Sequence, residues 1–251
     1  MDRGLAPSRA AARRAIKDGA VIVDGNLARK PARQTPSSVE IAIDDEARRV
    51  GRGGRKLSFA FRYFPIDPGG RSALDAGAST GGFTEELLRV GAESVVAVDV
   101  GHGQLDAELA ADPRVRNIEG VNVRSLTAGD LGGPFDLLVV DLSFISLGKV
   151  AQGLATQISE DADVVLLVKP QFEVGPDGVD RGGIVRSSEA RLQAFIDVAD
   201  AWGQLGWHVH GAVRSPVLGG DGNVEYLMWL RNSPGPAMTS TLAELAAPEA
   251  P

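Results

Sequence analysis

Four ionisable residues each close an apolar run: Asp75 after Ser72-Ala-Leu, Asp99 after Val95-Val-Ala-Val, Asp141 after Leu137-Leu-Val-Val, and Lys169 after Val164-Val-Leu-Leu-Val. Buried strands of open α/β sheets read as such runs, and ligands bind beyond their carboxyl ends. Asp75 leads into a turn of small residues, Gly77, Ala78, Ser79, Thr80, Gly81 and Gly82, and Phe83 begins a helical pattern. Strand, small-residue turn and helix together let a ligand approach the backbone and meet the free N–H groups of a helix start. The spacing is not Gly-x-Gly-x-x-Gly, and no Gly-Lys-Ser/Thr follows, so neither a dinucleotide nor a P-loop phosphate is favoured. An acid ahead of the first glycine suits a cationic or hydroxyl-bearing ligand. Asp99, with Val100 behind it, is placed to accept from ribose hydroxyls. Asn122 and Val123 follow the next strand. Glu225 opens the last apolar run, and Lys56 stands just before the sheet. Each charge alone reads equally well as a surface group or a loop cap. Together, Lys56, Asp141, Lys169 and Glu225 can meet at one sheet edge.

These residues need a mainly parallel sheet. Strands are predicted near 72–77, 94–100, 115–120, 135–142, 163–170, 207–216 and 223–231, and helices near 82–91, 103–111, 146–160 and 187–205. The last two strands, joined through Leu218-Gly-Gly-Asp-Gly222, are expected to form an antiparallel hairpin. Lys56 to Phe64 is expected to form a helix against the sheet edge. Residues 233–251, rich in Pro, Ala and Ser, are expected to be a flexible tail.

Ahead of this body, Leu5 to Asp18 reads as a helix with Ser8 as N-cap and Arg9, Arg13, Arg14 and Lys17 on one broad face. Short strands follow around an Asp24-Gly-Asn turn and at Val39–Ile43. Residues 46–55, carrying Arg52 and Arg55, read as a basic linker. The first 60 residues hold 13 Lys/Arg and 7 Asp/Glu, whereas the rest holds 13 and 26. A basic head on an acidic body points to an anionic partner, most simply nucleic acid. The chain has no Cys and three His, which excludes disulfides and thiolate metal sites and leaves no convincing metal cluster. Neither a signal peptide nor an apolar run of membrane-spanning length is present, so the expected address is cytoplasmic.

The Asp75 turn with Asp99 resembles motif I and the following acidic strand end of S-adenosylmethionine-dependent methyltransferases. Residues 1–45 resemble the small RNA-binding module named after ribosomal protein S-four, through Arg3-Gly-Leu-Ala-x-Ser-Arg9, Gly19-x-Val-x-Val-x-Gly25 and Lys30-Pro31. Relatives open this module with an earlier short helix, whereas this chain begins almost at Arg3. Longer words resemble the TlyA/hemolysin-A family of FtsJ-like methyltransferases: Leu74-Asp-Ala-Gly-Ala-Ser-Thr-Gly-Gly-Phe-Thr84, Asp141-Leu-Ser-Phe-Ile-Ser-Leu147, Val168-Lys-Pro-Gln-Phe-Glu-Val-Gly175 and Gly222-Asn-Val-Glu-Tyr226. His102 and Asp106 depart from that pattern.

The resemblance implies a class I, Rossmann-like methyltransferase domain over 56–232 with a seven-stranded sheet. It also implies S-adenosylmethionine as cofactor and 2′-O-methylation of cytidine in ribosomal RNA. Lys56, Asp141, Lys169 and Glu225 match the Lys-Asp-Lys-Glu tetrad. Lys169 is then the expected base, Asp141 its orienter, and Lys56 and Glu225 positioners. The implied cofactor residues are Asp75, the Gly77–Gly82 turn with Phe83, Asp99, Val100, Asn122 and Val123. The implied RNA contacts are Arg9, Arg13, Arg14, Lys17, Lys30, Arg52 and Arg55. Lysine ordinarily ionises near ~10.4, so a lysine base needs surroundings that favour its neutral form. A second lysine, burial and a cationic cofactor act in that direction; Asp141 and Glu225 oppose it. Base-carbon chemistry would commonly use a Cys, and amine methylation an Asn-Pro-Pro-Tyr word at 141–144; both are absent. A non-catalytic RNA-binding platform fits the intact tetrad poorly. A membrane-active hemolysin finds no spanning segment and an acidic body.

Overall fold

The computed structural model describes residues 3–6, 8–17, 19–28, 31–36, 38–43, 51–236, 242 and 245, without the side chains of Ala10, Arg14, Lys17 and Leu27. Lys30 and residues 46–50 of the expected linker lie outside the described residues.

Helix α1 (Arg9–Lys17) starts where the Ser8 hydroxyl accepts from the Ala11 N–H at 3.0 Å. The Asp24-Gly25 turn has positive φ at both residues, 48° and 75°, which matches the twist of a tight hairpin. It joins β1 (Val21–Val23) to β2 (Asn26–Leu27), so Asn26 is the first residue of β2 rather than part of the turn. β3 (Ile41–Ile43) pairs antiparallel on the other side of β1. Ala15, Ala20 and Val21 form a small core, with Ile16, Val23, Ala28 and Ile41 packed on it. Arg9 and Arg13 stay exposed.

The body holds β4 (Ser72–Ala76), β5 (Ser94–Asp99), β6 (Val115–Glu119), β7 (Phe135–Val140), β8 (Ile158–Val168), β9 (His208–Arg214) and β10 (Tyr226–Arg231). Their order is β6-β5-β4-β7-β8-β10-β9. The first five run parallel; β10 pairs antiparallel with both β8 and β9. This is the expected mainly parallel sheet with a terminal hairpin.

Alternation along the strands sends side chains to two cores. On one face, Leu74, Val96, Leu138, Val164, Leu166 and Met228 meet α5 (Leu147–Ala155) and α7 (Ser188–Gly203) through Leu147, Val150, Leu154, Phe195 and Trp202. On the other, Ala73, Val95, Leu137, Val139, Val165 and Leu227 meet α2 (Arg52–Tyr63) and α3 (Gly82–Arg89) through Leu57, Ala60, Phe83 and Leu87. The short helix α4 (Ala107–Ala111) is capped by the Asp106 side chain, which accepts from the Glu108 N–H.

Several expected bounds shift. α2 begins at Arg52, so residues 52–55 are helix and not linker, and it packs on a sheet face and α3 rather than on the edge. Gly53 and Gly54 disfavour a helix, but their backbone packs closely on Gly82 at the start of α3. A Cβ on Gly82 would stand 3.3 Å from the Gly54 nitrogen and 3.4 Å from Gly53 Cα. α5 stops at Ala155 and β8 starts at Ile158, five residues before the expected 163, because its polar first turn (Ser159-Glu-Asp161) hides the strand. α4 starts at Ala107 instead of near 103, and β10 starts just past Glu225. The expected tail is partly docked: Leu245 is buried in the larger core and its carbonyl accepts from Arg214 at 2.7 Å, with Leu242 packed alongside.

Candidate active site and cofactor crevice

At the carboxyl edge of the parallel strands, the four charged residues form two lysine–carboxylate pairs. Lys56, on the inner face of α2, donates to Glu225 Oε2 at 2.5 Å; the two residues are only 6% and 3% exposed. Lys169, just past β8, meets Asp141 Oδ1, just past β7, at 2.5 Å and donates to Ser143 Oγ at 3.0 Å. β7 and β8 are parallel neighbours, so their ends coincide. Lys56 and Glu225 are 169 residues apart and meet because β10 runs antiparallel to β8 with α2 lying across that face.

All four line one open cleft of about 730 Å³, with Ser79 and Phe144. Burial by itself raises the Asp141 carboxyl. The ammonium groups of Lys169 and Lys56, the hydrogen bond from Lys169 and the Arg52 guanidinium outweigh it and hold this carboxyl below its ordinary value. Arg52 also donates to the Leu218 carbonyl, tying the start of α2 to the loop before β10.

Of the expected cofactor residues, Ser79 lines this cleft, and Asp75 and Asp99 stand next to it. Asp75 is fully buried; its Oδ2 accepts from the Thr84 hydroxyl at 2.7 Å, while its Oδ1 has no partner among the described residues. Burial pushes Asp75 up to about 7; Thr84 opposes this, and the negative charges of Asp141 and Asp99 add to it. Gly77 has φ +92°, and a Cβ there would stand 2.5 Å from the Asp141 carbonyl oxygen. Ala78 is buried, while Ser79 (φ 48°) and Thr80 are exposed on the turn. Gly81 adopts the left-handed conformation at the start of α3. Asp99 accepts from the N–H groups of Ser79 at 2.8 Å and Gly101 at 2.7 Å, bracing the turn, and Val100 is exposed beside it.

The structure does not bring every expected side chain into the crevice. Phe83 and Val123 are buried in the two cores, so only their main chains can border a ligand. Asn122 is exposed and spends its side-chain oxygen on the Arg124 N–H.

Three neighbours escaped the sequence reading. Ser143 holds Lys169; Phe172, in the short helix α6 (Pro170–Glu173), lies under its ammonium at 5.8 Å. Phe144 is 91% exposed at φ +64° and its ring lies 5.0 Å from that of Phe172. A large apolar ring held out in water on strained backbone is the signal that could have marked it, but strain and exposure are tertiary facts. The Gly175–Gly183 loop is tied by hydrogen bonds: Asp180 accepts from the Gly182 and Ile184 N–H groups, and buried Asn223 bonds both Gly183 and Val185.

A mainly parallel seven-stranded sheet with a glycine turn after its first strand and this edge cluster defines a Rossmann-like methyltransferase domain. Residues 49–232 match the FtsJ-like methyltransferase family, and the chain belongs to it; residues 2–40 match the S4 domain. The chain is 48% identical, over 95% of its length and 90% of the relative's, to the 16S/23S rRNA (cytidine-2′-O)-methyltransferase TlyA of Mycobacterium tuberculosis. It is 35% identical to Hemolysin A of Brachyspira hyodysenteriae, over 89% of this chain and 94% of that one. The solved structure of a provisionally assigned hemolysin from Streptococcus thermophilus superposes with TM-score 0.78 at 36% identity, covering 98% of this chain and 91% of that one.

Proposed function

We propose that this protein transfers a methyl group from S-adenosylmethionine to the ribose 2′-hydroxyl of a cytidine in ribosomal RNA, in the cytoplasm. The observation that carries the reading is the pair of lysine–carboxylate contacts at the sheet edge, Lys169–Asp141 and Lys56–Glu225, next to the Gly77–Gly82 turn. The TlyA relative named for this reaction supports the substrate.

The residues fit the cofactor. Asp75 offers an orphaned buried carboxylate oxygen to a cationic amine, the Gly77 turn leaves room that a side chain would fill, and Asp99 stands by for ribose hydroxyls. When bound, S-adenosylmethionine supplies the electrophilic methyl group. This chain's own task is to place and deprotonate the hydroxyl. Lys169 Nζ, held by Asp141 and Ser143, is the group placed to take up the 2′-hydroxyl proton. Lys56 and Glu225 fix the opposite wall, and the Phe144 ring offers a face on which a base can stack. Positioning of the hydroxyl contributes at least as much as proton removal. Arg9 and Arg13, with Arg14, Lys17 and Lys30, supply the backbone contacts of the RNA-binding module.

A membrane role draws no support from the fold: no helix among the described residues is long and apolar enough to cross a bilayer. The test is methyl transfer from labelled S-adenosylmethionine to purified ribosomal subunits and to naked rRNA. Label on ribose with wild type, and none with Lys169→Ala despite retained cofactor binding, is the expected result. Wild-type turnover in Lys169→Ala would overturn the assignment of the base.

A further inference from the structure

Beyond Arg55, α2 carries a stripe of residues that the cleft does not use. Its inner face is spent on Lys56, Leu57 and Ala60, all buried. Phe59, Arg62 and Tyr63 stand four, seven and eight residues on from Arg55, so the four share one stripe along the helix, with Phe59 half-buried against the core. Arg55 and Arg62 are exposed, and Tyr63 is 49% exposed, one of four large hydrophobic residues left in water among the described residues. Phe59 and Tyr63 stack at 5.9 Å with an interplanar angle of 25°. The Arg62 guanidinium contacts only the Ser58 hydroxyl, at 3.1 Å, among the described residues.

No Asp or Glu occurs from Ala47 to Ile66, in a chain whose net charge is −7. A helix face meant merely to be soluble in an acidic protein would mix signs; this one is basic and aromatic throughout. Arg55 lines the catalytic cleft, and Tyr63 lies about 12 Å further along the helix axis at 1.5 Å per residue. The stripe therefore starts at the reaction site and leads away from it.

We infer that this face is a track for the RNA strand flanking the target nucleotide: Arg55 and Arg62 take backbone phosphates, and Tyr63, braced by Phe59, stacks on an unpaired base. This rests on the proposed RNA methylation and extends its substrate contact beyond the cleft. Guanidinium groups meet phosphates with two parallel N–H donors, and aromatic rings stack on bases irrespective of sequence. The contact tightens the hold on RNA without touching the reacting atoms.

The test compares Arg62→Gln, Tyr63→Ala and the double variant with wild type, using deproteinised rRNA and intact ribosomal subunits as probes, in binding titrations across a salt series and in steady-state methyl transfer. Thermal unfolding and S-adenosylmethionine affinity check the fold. The expected result is RNA binding weakened about tenfold by Tyr63→Ala. Arg62→Gln is expected to flatten the slope of log affinity against log salt by roughly 0.7–0.9. KM for RNA rises while kcat and cofactor affinity hold; Tyr63→Phe and Arg62→Lys restore binding. Unchanged affinity, salt slope and KM in the double variant would overturn the track. Weakening on intact subunits but not on deproteinised rRNA would overturn it in favour of a protein partner. Because binding is measured directly, a wild type that binds through the stripe but labels no ribose would refute the methylation reading and leave the stripe standing.

Discussion

The Lys56–Glu225 pair offers a sharp test of whether the second half of the tetrad is chemistry or scaffolding. Both residues are nearly excluded from water, and the 2.5 Å contact joins α2 to the start of β10. Lys56→Met leaves the Glu225 carboxylate buried with no cationic partner, and breaking such a pair costs about 3–5 kcal/mol. Glu225→Leu strands the ammonium in the same way. The double variant Lys56→Met/Glu225→Leu removes both charges and fills the space with apolar groups. Its stability is expected within roughly 2 kcal/mol of wild type, because neither desolvation cost remains. Methyl transfer should not return, since Lys56 also supplies part of the positive field on Asp141. Displacing a positioned group by about 1 Å can cost 10²-fold in rate, so at least that loss is expected in all three variants. Denaturant unfolding followed by tryptophan fluorescence reads the body alone, because Trp202, Trp207 and Trp229 all lie in it. A Lys56→Met cost below about 1 kcal/mol would refute the burial argument. A double variant that is both stable and active would reduce the pair to a strut.

Other expectations follow from single residues. Asp75 ionises near 3.8 ordinarily and near 7 when folded, so its contribution to stability is full below pH 4 and declines as pH rises to 7. The decline is at most about 4 kcal/mol and then levels off, and Asp75→Asn should remove that component from a pH series of unfolding curves. If the cofactor amine meets this carboxylate, calorimetry at pH 6.5 in buffers of differing ionisation enthalpy should detect proton release on binding, absent in Asp75→Asn. Gly77→Ala must strain a φ of +92° and push on the Asp141 carbonyl, so it should lose transfer at least tenfold and cost about 1–3 kcal/mol; wild-type rates would contradict the close approach. Phe144→Gly relieves a positive φ while losing one ring pair, so unfolding should stay within about 1 kcal/mol of wild type. A raised KM for RNA is expected there, and an unaffected KM would remove Phe144 from the substrate path.

Much of this protein is written locally. The period of two in the strands, the fully apolar runs and the acids that end them set the parallel sheet and the positions of Asp75, Asp99, Asp141 and Lys169 at its carboxyl edge, because alternation and burial are encoded within a few residues. The Asp24-Gly25 hairpin was equally legible, since only residues that tolerate positive φ suit such a turn. Other features depend on neighbours distant in the chain. Residues 52–55 look like linker because two glycines oppose a helix, yet they open a helix whose Leu57 and Ala60 pack with Phe83 and Leu87 of α3. Leu245 sits in a stretch whose composition argues for fraying, and its burial depends on a core surface built from α7 and the sheet. Residue types alone could nominate two lysines and two carboxylates. Only the tertiary structure decided that Lys56 pairs with Glu225 and Lys169 with Asp141, because partner choice follows from which strand ends and helix faces meet in space, and no local pattern carries that information.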